Sequence, residues 1–313
     1  MPNTTKSPEQ FSVRAERTPL RDITGVLLLD KPFGLSSNTA LQRARHLLAA
    51  RKAGHTGTLD PHATGLLTLC LGEATKFSGW LLDAPKAYQA RIRLGYSSST
   101  GDGEGEITPV HPFAGSLAAI ESVLQQFLGV QTQYPPMHSA LKVAGRPLYQ
   151  YARAGLDVVR TARQIEVLAQ KVEDWDGETL TLSVKVSKGT YIRVLAADIG
   201  AALGCGGYLS GLRRTETGPF ALSEAVTLEQ LEALSMTGRE QCLRPADTLL
   251  SGVPRLDLDD AQGLAIRQGR TLPWDNAGTP GQRYRVYAPT DRFLGLCELT
   301  PDHRLHPARL MTG

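Results

Sequence analysis

One carboxylate stands alone in the stretch HTGTLDPHATG, residues 55–65: Asp60, set between Leu59 and Pro61 with His55 and His62 close by in sequence. From Lys31 to Leu59 there is no acidic residue, while Lys31, Arg43, Arg45, Arg51 and Lys52 all fall in that interval. Three kinds of chemistry suit such a group. Asp60 can be a turn residue that caps a backbone N–H or pairs with a nearby arginine. Two imidazoles and a carboxylate can hold a metal such as non-haem iron, although Pro61 stiffens the link and no further ligand cluster is evident. Or Asp60 itself reacts, as a nucleophile or a general base. The loop's composition leaves all three open.

The elements around it are legible as periodicities. GVLLL, residues 25–29, ends at the turn signature DKPFG and predicts a buried strand. SSNTALQRARHLLAA predicts a helix with Ser36, Ser37 or Asn38 as N-cap, Leu41, Ala44 and Leu48 on one face, and Gly54 closing it. LLTLCLG reads as an apolar strand and ATKFSGWLLDAP as a short helix. KAYQARIRLGY alternates, so Tyr88, Ala90, Ile92 and Leu94 share one face of a half-buried strand. SSSTGDGEGEI is a loop by composition. SLAAIESVLQQFLG is an amphipathic helix with Leu117, Ile120, Leu124 and Phe127 in register. The stretch after it is irregular, and from His138 to Arg163 five Lys/Arg face a single Asp157. TLTLSVKVSKG predicts a strand that feeds the helix TYIRVLAADIGAALG, and GYLSGLRRTETG a strand and turn.

Past about residue 250 the texture changes to small β units punctuated by Asp, Pro and Gly, which puts a domain boundary near Ser251. Alternation of strands, hairpins and single helices gives an α+β fold with a mostly antiparallel mixed sheet flanked by helices. Residues 1–22 are polar and expected to be a disordered tail. They lack the apolar core of a secretion signal, and no apolar run reaches the roughly 18 residues of a membrane span, so a cytoplasmic location is expected. Cys70, Cys205, Cys242 and Cys297 form no CxxC pair and fit buried free thiols. There is no GxGxxG or GxxxxGK[ST] phosphate loop, which counts against a nucleotide cofactor. A net charge of +3 permits a nucleic-acid partner without arguing for one.

AGHTGTLDPHATGLL closely resembles the catalytic motif of the TruB-type tRNA pseudouridine synthases. GVLLLDKPFGLSSN, LGEATKF, SALKVAGRPLYQYAR, SKGTYIRVLAADIG and LRRTETGPF follow in that family's order, from about Gly25 onward. FLGLCEL and LHPARLM resemble a PUA domain, a small RNA-binding β module. The resemblance implies a catalytic domain over residues 23–250, carrying a basic RNA-clamping insertion at 138–163, and a PUA-like domain over 251–313. It implies an isomerase that makes pseudouridine 55 in the T loop of tRNA, with no cofactor, no metal and no membrane partner, acting as a monomer. By the same resemblance Asp60 is the reactive carboxylate, Arg193 in KGTYIR its guanidinium partner, and Tyr88 the catalytic aromatic that stacks on the base and assists removal of the C5 proton. Tyr191 and Leu212 line the pocket, and His55 fills the space the flipped base leaves. Lys31 supports the active-site loop or touches phosphate. Two positions depart from the family pattern: Ser99 replaces an acid and His138 a tyrosine. A non-catalytic RNA-binding protein or tRNA-folding chaperone is the alternative on the same basic segment and β module.

Overall fold

The computed structural model describes residues 19–274 and 278–312. The expected tail is described only from residue 19 on; the rest of it lies outside the described residues. A ten-stranded mixed sheet organises the chain up to about residue 230. Its strands run in the order Val226–Thr227, Gly25–Lys31, Ala63–Leu71, Gly207–Thr217, Lys86–Leu94, Thr179–Val186, Arg163–Trp175 and Gly129–Gln133. Ala53–His55 and Phe220–Ala221 pair off this path. Two pairings are parallel, Gly25–Lys31 with Val226–Thr227 and Gly207–Thr217 with Ala63–Leu71; the rest are antiparallel. The α+β architecture with a mostly antiparallel sheet therefore holds.

Helix Ser37–Leu47 buries Ala40, Leu41 and Ala44 against the Leu27, Leu67 and Leu69 side of the sheet. Ser36 is its N-cap, accepting from Thr39 N at 3.1 Å. Gly54 does not close this helix: Leu48 caps it, and Gly54 lies in the strand Ala53–His55, because Ala49 takes a left-handed φ of 49° that ends the helix earlier. On the other half of the sheet, helix Ile192–Ala202 and helix Leu117–Gln125 cover Ile92, Leu180, Leu182 and Val184. Ile120 and Leu124 are buried as expected, but Leu117 is exposed, since it begins the helix beyond the edge of that core.

A 13-residue strand, Arg163–Trp175, was not legible in the sequence. Its alternation is broken by register shifts between Val167 and Ala169 and between Val172 and Asp174, and only Ile165 and Val167 are buried. A separate five-stranded sheet follows, in the order Arg255–Asp257, Arg283–Ala288, Arg292–Leu299, Arg304–Leu310, Leu272–Pro273. It seats on the first sheet's body through Phe293 against Phe77, ring centroids 5.5 Å apart, and through Lys76 Nζ donating to Leu310 O at 2.9 Å.

Candidate active site

The 55–65 loop is clamped from three sides. The buried hydroxyl of Ser37 accepts from Leu59 N at 2.7 Å and donates to Leu59 O at 2.9 Å. Gly34 N donates to Pro61 O at 2.9 Å. Lys31 is fully buried, its Nζ donating to Leu35 O, Pro32 O and Pro61 O at 2.6, 2.9 and 3.3 Å. These bonds tie the strand end to the loop, and the side chain is closed to solvent.

From below, fully buried Arg214 donates to Leu66 O at 2.7 Å and to Gly57 O at 3.2 Å. Gly65, with φ +99°, permits this close approach: a Cβ there would lie 2.4 Å from Arg214 O.

So held, Asp60 meets Arg193, whose Nε lies 3.2 Å from Asp60 Oδ2. Arg193 is itself 6% exposed. Its guanidinium is shared: Nη1 lies 3.2 Å from Asp102 Oδ2 and donates to Thr100 O at 3.3 Å, and Nη2 donates to His138 O at 2.7 Å. A buried arginine satisfied by two carboxylates and two carbonyls is fixed in direction. Asp102 and Gln133 are parts of the site that sequence reasoning missed. Gln133, 3% exposed, grips both backbone atoms of Tyr191: Nε2 donates to Tyr191 O at 3.1 Å and Oε1 accepts from Tyr191 N at 2.8 Å. Tyr191 is the N-cap residue of the helix that carries Arg193.

Sheet register supplies the rest. Tyr88 lies across from Arg214, and Ala90 across from Leu212, so Tyr88, Leu212 and Arg214 project from one face. A cavity of about 290 Å³ opens there, lined by Asp60, Tyr88, Tyr191, Arg193, Leu212 and Arg214 among others. Five predicted site residues thus converge: Asp60, Arg193, Tyr88, Tyr191 and Leu212. Lys31 and His55 stand outside the lining. His55 sits on the strand paired to Ala63–Leu71, with its Nδ1 buried and without a partner, and burial pushes its pKa down. His62 lines a neighbouring cavity that Asp60 and Arg193 also wall, stacking on Phe33 at 4.7 Å between ring centroids, with Nε2 3.5 Å from Glu104. Among the described residues no group of three His, Cys, Asp or Glu is placed to hold a metal ion.

The electrostatics of Asp60 are opposed. Enclosure by protein pushes its pKa up, Arg193 pulls it down, Asp102 pushes it up, and Lys31 pulls it down, with burial the largest. Its side chain is 46% exposed to solvent on the cavity side, so the enclosure comes from the protein packed behind it. Lys31 is lowered to about 8, mainly by burial. The arrangement is a single reachable carboxylate, aimed by a fixed guanidinium, beside two aromatic rings and an apolar wall.

Comparison with known proteins shows the family. Residues 45–192 match the family model "TruB family pseudouridylate synthase (N terminal domain)". Residues 193–251 match "tRNA pseudouridylate synthase B C-terminal domain", and residues 254–311 match "Pseudouridine synthase II TruB, C-terminal". A tRNA pseudouridine synthase B of Chromobacterium violaceum is 50% identical over 298 residues, covering 95% of this chain and 97% of that protein. The chain belongs to the TruB family of pseudouridine synthases. Its counterpart in Aromatoleum aromaticum is 51% identical over 294 residues, 93% of this chain and 94% of that one. Among solved structures, a Cbf5-Nop10-Gar1 complex contains a chain of 27% identity and TM-score 0.68, covering 89% of this chain and 79% of that one. An H/ACA RNP bound to a substrate RNA containing 2'-deoxyuridine shares the fold at TM-score 0.69 and 24% identity, over 92% of this chain and 85% of that chain.

Proposed function

We propose that the protein isomerises uridine 55 in the T loop of tRNA to pseudouridine, with Asp60 as the reactive carboxylate. The observation that carries this reading is the Asp60–Arg193 pair at 3.2 Å on the wall of a cavity faced by Tyr88 and Tyr191. The reaction breaks the N-glycosidic bond, turns the base, joins its C5 to ribose C1′ and removes the C5 proton. There is no net oxidation or hydrolysis, so one ionised carboxylate suffices. Arg193 keeps Asp60 ionised against the desolvation that an enclosed base imposes. Tyr88 and Tyr191 form the walls for the base, Leu212 excludes water from it, and Lys31 keeps the loop in place.

A stacked uridine hides both C1′ and C5, so the base must leave the loop, at a cost of a few kcal/mol. In this reading His55 fills the space that it vacates. The cations of 31–52 other than buried Lys31, with those of the insertion at 138–163, meet phosphates. Residues 23–250 make up the catalytic domain, and 251–313 an RNA-binding unit. The protein works as a monomer in the cytoplasm. Support for tRNA as substrate comes from the relatives named tRNA pseudouridine synthase B. Carbodiimide labelling with primer extension on unmodified tRNA tests the position: the reading expects one new stop at the T-loop uridine with wild type and none with Asp60→Ala. A stop elsewhere would refute the position.

A further inference from the structure

Three cavities meet at Asp60, and two of them share Ser139 in their walls. One is the base-sized cavity faced by Tyr88 and Tyr191; the other, about 270 Å³, opens beside Tyr149 and Arg153 of the basic segment. Their common wall comprises Thr58, Asp60, Ser139, Ala140 and Arg193. Ser139 is 5% exposed, and its Oγ is buried without a hydrogen-bond partner. A buried hydroxyl without a partner is unfavourable in the free protein and is uncommon in folded chains. Its backbone is well fixed. Tyr149 N donates to Ser139 O at 3.0 Å, and the preceding carbonyl, His138 O, accepts from Arg193 Nη2 at 2.7 Å. The residue is thus anchored to the guanidinium that holds Asp60, while its hydroxyl stays free to turn about χ1 and about its own C–O bond.

We infer that Ser139 is a substrate-binding residue whose hydroxyl pairs with the 2′-hydroxyl of the target nucleotide. This rests on the reading of the cleft given above. If the base fills the Tyr88–Tyr191 cavity and the backbone leaves along the second, where Arg153 and Arg193 stand beside Asp60, Asp102 and Glu104, the sugar that joins them lies at the shared wall. The ribose hydroxyl is a donor and an acceptor, as is Ser139, and it is the group that tells RNA from DNA at one position.

The test is a two-by-two cycle of wild type and Ser139→Ala against T-arm fragments with a ribose or a 2′-deoxyribose at the target. Affinity is read by fluorescence anisotropy, with thermal unfolding of each protein alongside. For one neutral hydrogen bond the expected loss is about tenfold in affinity for the ribose fragment on Ser139→Ala, and little for the deoxy fragment. The melting temperature of Ser139→Ala should be equal or higher, because the substitution removes an unpartnered hydroxyl. Equal losses on both fragments, no loss on either, or a lower melting temperature would each overturn the assignment. Tritium release from 5-tritiated uridine by wild type is run in parallel. If release occurs and the cycle is flat, Ser139 alone is misassigned; without release, the reading of the cleft fails and this inference fails with it.

Discussion

At the scale of residues, the site turns on how one carboxylate is held ionised where burial resists it. Burial raises the pKa of Asp60, so the acid limb of kcat/KM should lie above the ordinary aspartate range, near 4. A pH–rate profile with its acid limb at or below that value would contradict the account. Asp102 adds its own negative charge to the upward push on Asp60. Asp102→Asn should therefore move the acid limb to lower pH, and lower turnover as well, because Arg193 loses one of the groups that aim it. An upward move would contradict the charge argument. That Asp60, Arg193 and Tyr88 come together could be expected only through the family resemblance of their motifs, since a strand Tyr or a lone Arg carries no signal by itself. Asp102 was not legible, since SSSTGDGEGEI has the composition of any loop and its partner Arg193 lies 91 residues further along the chain (193 − 102).

At the scale of elements, the strand Gly129–Gln133 is an edge strand whose last side chain reaches across to begin the helix Ile192–Ala202. Gln133→Leu deletes both bonds to Tyr191 and should cost about 1–3 kcal/mol, read from urea unfolding. Turnover should fall more than RNA affinity, because Arg193 rides on the loosened first turn. Unchanged stability and turnover would show that the clamp is incidental. The Gln133–Tyr191 link could not be read from sequence. VQTQYPP shows no periodicity, and the neighbouring strand Arg163–Trp175 hides its own behind two register shifts. Strands without such shifts, Lys86–Leu94 and Thr179–Val186, were legible from alternation alone.

At the scale of the whole molecule, buried lysines beneath the site leave a mark on stability. Lys86, 8% exposed, donates to Leu82 O and Ala84 O at 2.7 Å each and to Leu81 O at 3.3 Å; burial lowers its pKa from 10.5 to about 8. Between pH 8 and 10.5 the unfolded chain keeps a proton on this amine that the folded chain has lost. Stability contributed by Lys86 therefore rises with pH across that window and is flat below it. In Lys86→Met that slope should vanish, so urea unfolding should show the difference between wild type and variant shifting towards wild type from pH 8 to 10.5. A constant difference would mean Lys86 is not perturbed in the fold. The change of texture near Ser251 falls between the ten-stranded sheet and the five-stranded one. How they seat together was not legible, because that contact pairs Phe77 with Phe293, over 200 residues apart (293 − 77).

The measurement closest to the central claim is tritium release from T-arm RNA carrying 5-tritiated uridine, comparing wild type with Asp60→Ala at equal RNA occupancy. The account predicts release by wild type and a loss on the order of 10⁴ or more in Asp60→Ala, with RNA binding retained. Release by Asp60→Ala at a rate comparable to wild type would contradict it.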